Sequence, residues 1–286
     1  MTISTYEDFQ DKFISRKEVR LSNSANSYYT SSNGCYCWSY RLVTGASINA
    51  STALVTFDNT HSSALNKDVP IHPTDKNFIV ESLFATNTSD RSSLADIRYA
   101  FNYQWIDVLC QQLGKALNTT SPQSFTANTL TRHTTGEGVM LFVLGTGSVA
   151  GTTDITFSYT NQAGVSGRTT KSVPITSTNF STTIGLLFPV PLQDGDTGVR
   201  SVESVTVASA LASAGDFGYT LIKPISRTII SQFWGGDPYG WPIEHAIHTN
   251  LGFPEVHPNA CLGLLFSRSS SGANNINILK ASIISG

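Results

Sequence analysis

Along the second half of the chain, apolar and polar positions alternate in short runs broken by Gly, Asn or Pro. "TDITFSYT" (153–160) puts Ile155, Phe157 and Tyr159 on one side, and "VRSVESVTVAS" (199–209) does so with Val202, Val205 and Val207 after a one-residue slip. A period of two is the pattern of a strand with one buried face. "GVMLFVLG" (138–145), "GRTTKSVPI" (167–175), "TTIGLLF" (182–188), "DFGYTLIKP" (216–224), "ACLGLLFS" (260–267) and "INILKASII" (276–284) have similar length and punctuation. Eight strands without a helical period between them predict an antiparallel β-sandwich of jelly-roll type. "TNQAG" (160–164) and the glycine-rich "GTGSVAG" (145–151) read as hairpin loops.

The first half is mixed. "CYCWSYRLV" (35–43), "ALVTF" (53–57) and "FIVESLF" (78–84) read as strands. Residues 4–18 read as a helix, because Ser4-Thr5-Tyr6-Glu7 fits a capping box and Tyr6, Phe9, Phe13 and Ile14 form one stripe. A second helix is predicted over 92–113 from the spacing of Leu94, Ile97, Phe101, Trp105, Val108 and Leu109, with Gly114 at the C′ position. Its opposite face also carries Tyr99, Tyr103 and Ile106. The expected fold is therefore mainly β: a jelly-roll-like antiparallel sandwich over 119–286, preceded over 1–118 by the N-terminal helix and a mixed α/β segment. The stretch 225–259 holds two of the four Trp and four of the 11 Pro. It reads as a long loop lying against another surface.

Composition narrows the function classes. Charged residues make up 13% of the 286 residues, and the net charge is −2. With no Lys/Arg run, direct nucleic-acid binding is not expected. "MTISTYEDFQDKF" lacks the basic and apolar regions of a signal peptide, and no run approaches a membrane span. Synthesis in a cytoplasm is expected, with no membrane partner. Cys35 and Cys37 form C-x-C, while Cys110 and Cys261 stand alone. All four read as structural thiols.

The chemical templates fail at named positions. Asp194-Gly195-Asp196-Thr197-Gly198 resembles the start of a calcium loop, but the required Gly and Glu are Val199 and Val205. It resembles an aspartyl-phosphate motif too, yet the prolines of "FPVPLQ" precede it. A turn launching the next strand is the better reading, with Arg200 and Glu203 as a solvated or subunit-facing pair. "GTGSVAG" lacks dinucleotide spacing and a following helix. "WPIEHAIH" is E-H-x-x-H, not H-E-x-x-H. His245, His248 and His257 are the weak metal candidates. No metal, no cofactor and no catalytic residue is expected, and no G-x-S-x-G elbow is present.

Several segments resemble a family of tailed-bacteriophage virion proteins. They are the N-terminal helix, Cys37-Trp38-Ser39-Tyr40-Arg41-Leu42, "LTRHTTGEGV" (130–139), "SYTNQAGVSGRT" (158–169), "PLQDGDTGVRSVESVTV" (191–207) and "NACLGLLF" (259–266). The likeness is close in the C-terminal half, and "FNYQWIDVLC" departs from it. The resemblance implies a non-enzymatic structural protein of the virion, a capsid decoration or cement protein that binds the major capsid protein or other virion proteins. It implies a homo-oligomer, with a trimer expected. Tyr6, Phe9, Phe13, Trp234, Tyr239, Trp241 and Phe253 are the expected interface anchors. Two other readings are a tail, baseplate or fibre component binding host glycan, and a wall hydrolase on the same scaffold.

Overall fold

The computed structural model describes residues 7, 10–11, 17–21, 40–43, 51–67, 71–88, 100–145, 149–176, 186–212, 215–231, 243–247, 254–268 and 274–285. The strands are β1 (Lys17–Leu21), β2 (Tyr40–Val43), β3 (Val55–Thr56), β4 (Asn77–Thr88), β5 (Ala100–Ala116) and β6 (Gln123–Ser124). They continue with β7 (Met140–Gly145), β8 (Thr152–Asn161), β9 (Arg168–Thr169), β10 (Val173–Thr176), β11 (Leu186–Pro189) and β12 (Val199–Val207). Last come β13 (Asp216–Ser231), β14 (Ile243–Ile247), β15 (Glu255–Val256), β16 (Leu262–Arg268) and β17 (Asn274–Ser285). The protein is mainly β, every named pairing is antiparallel, and the strands sort into three sheets.

One sheet runs β1-β17-β4-β14, with β15 also on β4. A second runs β10-β8-β12-β6, with β9 on β8. The third runs β13-β7-β11-β2-β16-β5-β3, and β13 pairs with β5 as well as β7. Six strands of this third sheet therefore close into a ring, with β3 appended to β5. Closure removes the free edges that an open sheet would expose. The ring draws β2 and β5 from the first 118 residues and its other strands from beyond them.

Two cores follow from strand alternation. On β7, Leu141 and Val143 face the second sheet and pack with Ile155, Phe157, Tyr159, Val202 and Val205. The alternate residues Phe142 and Leu144 pack with Ile106, Val108, Leu187, Ile222 and Leu265 on the ring's other face. β7 is thus buried on both faces, so it reads as a continuous apolar run instead of alternating. The second sheet against the ring makes a β-sandwich, with the alternation of β8 meeting it on one face only.

The second predicted helix is corrected over 100–113, while 92–99 lie outside the described residues. From Ala100 the chain is the 17-residue strand β5, paired with β13 along its length and with β16 over 101–107. The apolar residues on both faces of the helical projection were the sign of a strand buried on both sides. Gly114 is not a helix C′ residue. The register slips between Phe217↔Lys115 and Tyr219↔Gln112, so Leu113 and Gly114 share one opposing residue, Gly218. That is a β-bulge, and Gly114 supplies its left-handed conformation at φ +83°. Of the first predicted helix, over 4–18, Glu7, Gln10 and Asp11 are helical and exposed, whereas Lys17 and Glu18 belong to strand β1, so its predicted end is corrected. The remainder of that helix lies outside the described residues.

Two loop expectations also change. Segment 225–259 is no single loop, since β13 runs on to Ser231 and β14 and β15 follow. "GTGSVAG" joins β7 to β8, which belong to different sheets, so it is a crossover between layers and not a hairpin.

Candidate functional site

Three of the singled-out segments converge at one end of the sandwich. The turn after β11 is closed by Asp196 N–H on Gln193 O at 3.1 Å, with Gly195 at φ +88°. This is a type II turn, which requires positive φ at its third residue. The turn aims the Asp196 carboxylate, 4% exposed, at the β8–β9 hairpin. There it accepts from Tyr159 Oη at 2.5 Å, Asn161 Nδ2 at 2.7 Å and Arg168 Nε at 2.9 Å. The Arg168 guanidinium, foremost, holds the Asp196 carboxyl down at about 2; burial opposes it, and the Tyr159 and Asn161 hydrogen bonds add to the lowering. Burial, followed by that same carboxylate, pushes the Tyr159 phenol up to about 12. Asn161 also shapes the hairpin, its Oδ1 accepting from Ala163 and Val165 N–H.

The 135–138 loop docks on the next residues of the same turn. Gly138 N–H donates to Thr197 O at 3.0 Å, and Thr197 Oγ1 donates to Glu137 at 2.9 Å. Arg200 is not paired with Glu203. Its guanidinium instead donates to Thr135 O and Gln162 O, bridging the loop to the hairpin. Glu203 lies on the outer side of β12 and accepts from Ser158 Oγ, Thr160 Oγ1 and Gly167 N–H. Burial raises its carboxyl, but those donors prevail and the net direction is down. The expected solvated pair is thus two separate structural staples. Two concavities flank the turn, of about 370 and 630 Å³, and both are open to solvent.

A second polar centre sits on β5. Asp107 is fully buried, and Arg132 meets it with two bonds of 2.6 Å. Arg132 also donates to Phe57 O and Val108 O, and Asp107 accepts from Cys261 N–H at 2.9 Å and His133 Nε2 at 3.2 Å. Every oxygen of the carboxylate is engaged, which is what a buried ion pair needs to persist. His133 takes positive φ, +52°, and its ring lies 6.1 Å from that of His257, edge to face. The space beside Arg132 has no room for a water molecule. An Asp–His pair suits proton transfer when a substrate can reach it; here Arg132 neutralises the carboxylate, while the His133 side chain stays partly exposed. Cys110 and Cys261 are free and buried, and burial pushes both thiols up to about 12. They are inert structural thiols, as expected.

Of the metal candidates, His245 lies in β14, in register with Leu83, so the helical spacing of E-H-x-x-H does not occur. His248 lies outside the described residues, and His257 meets His133 instead. Among the described residues no group of three or more His, Cys, Asp or Glu is placed to hold a metal ion. Tyr6, Phe9, Phe13, Trp234, Tyr239, Trp241 and Phe253 all lie outside the described residues, as do Cys35 and Cys37. Sequence reasoning missed the Asp107–Arg132 pair. Its signal was a single acid inside the apolar "YQWIDVLC", with one arginine in "LTRHTTGEGV" to answer it.

No protein-family model matches the chain, and no curated protein matches it. Among solved structures, a chain of the infectious bursal disease virus Gx strain aligns at 8% identity over 95% of this chain and 80% of its own, with a TM-score of 0.21. The Gt strain of the same virus aligns at 9% identity over 86% and 80%, with a TM-score of 0.18. At such scores the backbones do not superpose as one fold.

Proposed function

We propose that the chain is a structural protein of a bacteriophage virion, a capsid decoration or cement protein that binds neighbouring capsid subunits as a homo-oligomer. One observation carries the reading. Of the segments that resemble the phage family, 135–138, 158–169 and 191–207 meet at one junction, and Arg132 docks on the second centre at Asp107, so their distinctive residues make contacts within the scaffold. Leu130 and Val139 are core, Arg132 neutralises Asp107, Gly136 and Gly198 permit backbone contact, and Asp196 ties turn to hairpin. A signature made of scaffold contacts suits a particle component whose task is to keep its shape.

Other features support the same reading. The six-strand ring closes on itself and so has no end strand of its own, and low charge suits a subunit packed among neighbours. Asp107, the buried carboxylate nearest a histidine, is neutralised by Arg132, which supports a non-enzymatic role. The test is an inventory of purified particles by mass spectrometry, followed by adding the recombinant protein to heads that lack it. Many copies per head, and binding to such heads, are expected. Absence from particles, or recovery only with tails together with glycan binding, would sink the proposal.

A further inference from the structure

Three histidines act as turn acceptors. Ser63 N–H donates to His61 Nδ1 at 3.1 Å, and Asn259 N–H donates to His257 Nδ1 at 3.1 Å. Asp75 and Thr74 N–H point to His72 Nδ1 at 3.0 and 3.4 Å. A ring nitrogen that accepts carries no proton, so the His257 imidazole in this arrangement has its hydrogen on Nε2. Protonation of His257 would set its Nδ1–H against the Asn259 N–H and turn that bond into a repulsion.

The His61 and His257 turns are laced together. Asn66 donates to Ala260 O at 3.0 Å and accepts from Leu262 N–H at 3.1 Å, while Leu65 N–H donates to Leu262 O at 2.9 Å. Asn59 reaches Pro258 O at 3.4 Å. Next to the His257 turn, Cys261 N–H closes on the buried Asp107 carboxylate. β15, just before His257, pairs with β4, so this segment links the first sheet to the ring.

Charges of both signs surround His257, and burial is the largest influence against its protonated form. Facing it are Arg132 and His133 from the loop after β6, Asp107 from β5, and Glu255 from β15. Lys76 holds Glu255 at 3.0 Å, and Asp58 and His61 lie in the adjoining turn. Asp107 is the one fully buried carboxylate in the group, and Arg132 already occupies it. Burial, foremost, shifts the His257 imidazole below its usual range, with His133 and Arg132 adding to this and Asp107 and Glu255 opposing.

We propose that residues 254–262 form an acid-released latch: protonation of His257 breaks its bond to Asn259 N–H, adds a cation beside Arg132 and His133, and frees this segment from the 57–67 turn. The sign follows from linkage. A histidine that binds protons less well in the folded state leaves stability intact above about pH 6.5, where the unfolded chain is also neutral. The stability is lost as pH falls from there toward the lower folded value.

Hydrogen exchange of the full chain, read by mass spectrometry at about pH 7.5 and about pH 5.5 and corrected for intrinsic rates, tests the latch. Peptides covering 254–262 and 57–67 should lose protection on acidification, each relative to its own value at about pH 7.5. His257→Asn keeps an acceptor that closes the same two-residue turn and does not titrate, so its loss should vanish. An equal loss in His257→Asn, or none in the unaltered protein, overturns the proposal. Should the variant not fold, the unaltered protein decides against its own histidine-free strand 152–161. Loss confined to the two latch peptides supports the proposal, and uniform or absent loss overturns it.

Discussion

Gly136 and Gly198 touch backbone to backbone: a methyl group on Gly198 would fall 1.9 Å from the Gly136 carbonyl oxygen. One on Gly136, itself at φ +69°, would fall 2.7 Å from the Val199 carbonyl. The contact seats the 135–138 loop on β12 through the Glu137↔Gly198 bridge. Neither neighbour is the end of a flexible side chain, so no small shift relieves an added atom.

Gly198→Ala should therefore lower stability by about 3 kcal/mol, the upper range for overpacking, or prevent folding. Gly167→Ala is the contrast. Its site has φ +69° but nothing within 4 Å of the added carbon. It should cost about 1 kcal/mol, as left-handed strain alone does. Urea melts of both variants check the order, and equal losses would contradict the contact argument.

Asp107 and Arg132 should behave as one unit. Asp107→Asn or Arg132→Met leaves a buried charge or donor unanswered and should cost about 3–5 kcal/mol. The double replacement Asp107→Leu with Arg132→Met should cost clearly less than the two single losses summed. A double-mutant cycle by chemical denaturation measures the coupling, and strict additivity would contradict it.

Acid should loosen the hairpin junction in a defined window. The folded Asp196 carboxyl sits at about 2, below the ordinary 3.8. A depressed carboxylate contributes stability that is present above the unfolded value and lost as pH falls through the folded one. Stability should thus decline between about pH 4 and pH 2, below the range in which the histidine latch acts. Asp196→Asn should be less stable at neutral pH and show a shallower decline across that window. Denaturant melts at several acid pH values give the slope directly.

The buried thiols should be protected by the fold. Cys110 and Cys261 should resist alkylation in the native protein at pH 8 and react promptly in denaturant, because burial keeps both protonated. Peptide mapping after iodoacetamide treatment separates them from Cys35 and Cys37. Prompt native labelling of Cys261 would contradict its packing against Asp107.

Most strands were legible because one buried face leaves a period of two, as in Thr152–Asn161, where burial alternates along the strand. The type II turn at Asp194-Gly195-Asp196 was legible too, since Gly is what its third position demands. The role of Asp196 was not. Tyr159, Asn161 and Arg168 lie 28 to 37 residues before it, and only pairing of β8 with β12 brings them near. β5 misled for a different reason. A strand buried on both faces has no period of its own, so chance helical spacings stand out.

Local chemistry alone determined the β-rich character, the turn glycines, the failure of the metal and nucleotide templates, and the structural nature of Cys110 and Cys261. Each depends on residues within a few positions of one another, or on burial that an apolar context announces. Tertiary structure alone decided that the third sheet closes into a ring, that Arg132 answers Asp107 from 25 residues away, and that His257 meets His133 from a distant loop. Those outcomes depend on which strand edges meet across the molecule. That choice is made by the summed burial of two cores and leaves no periodic trace along the chain.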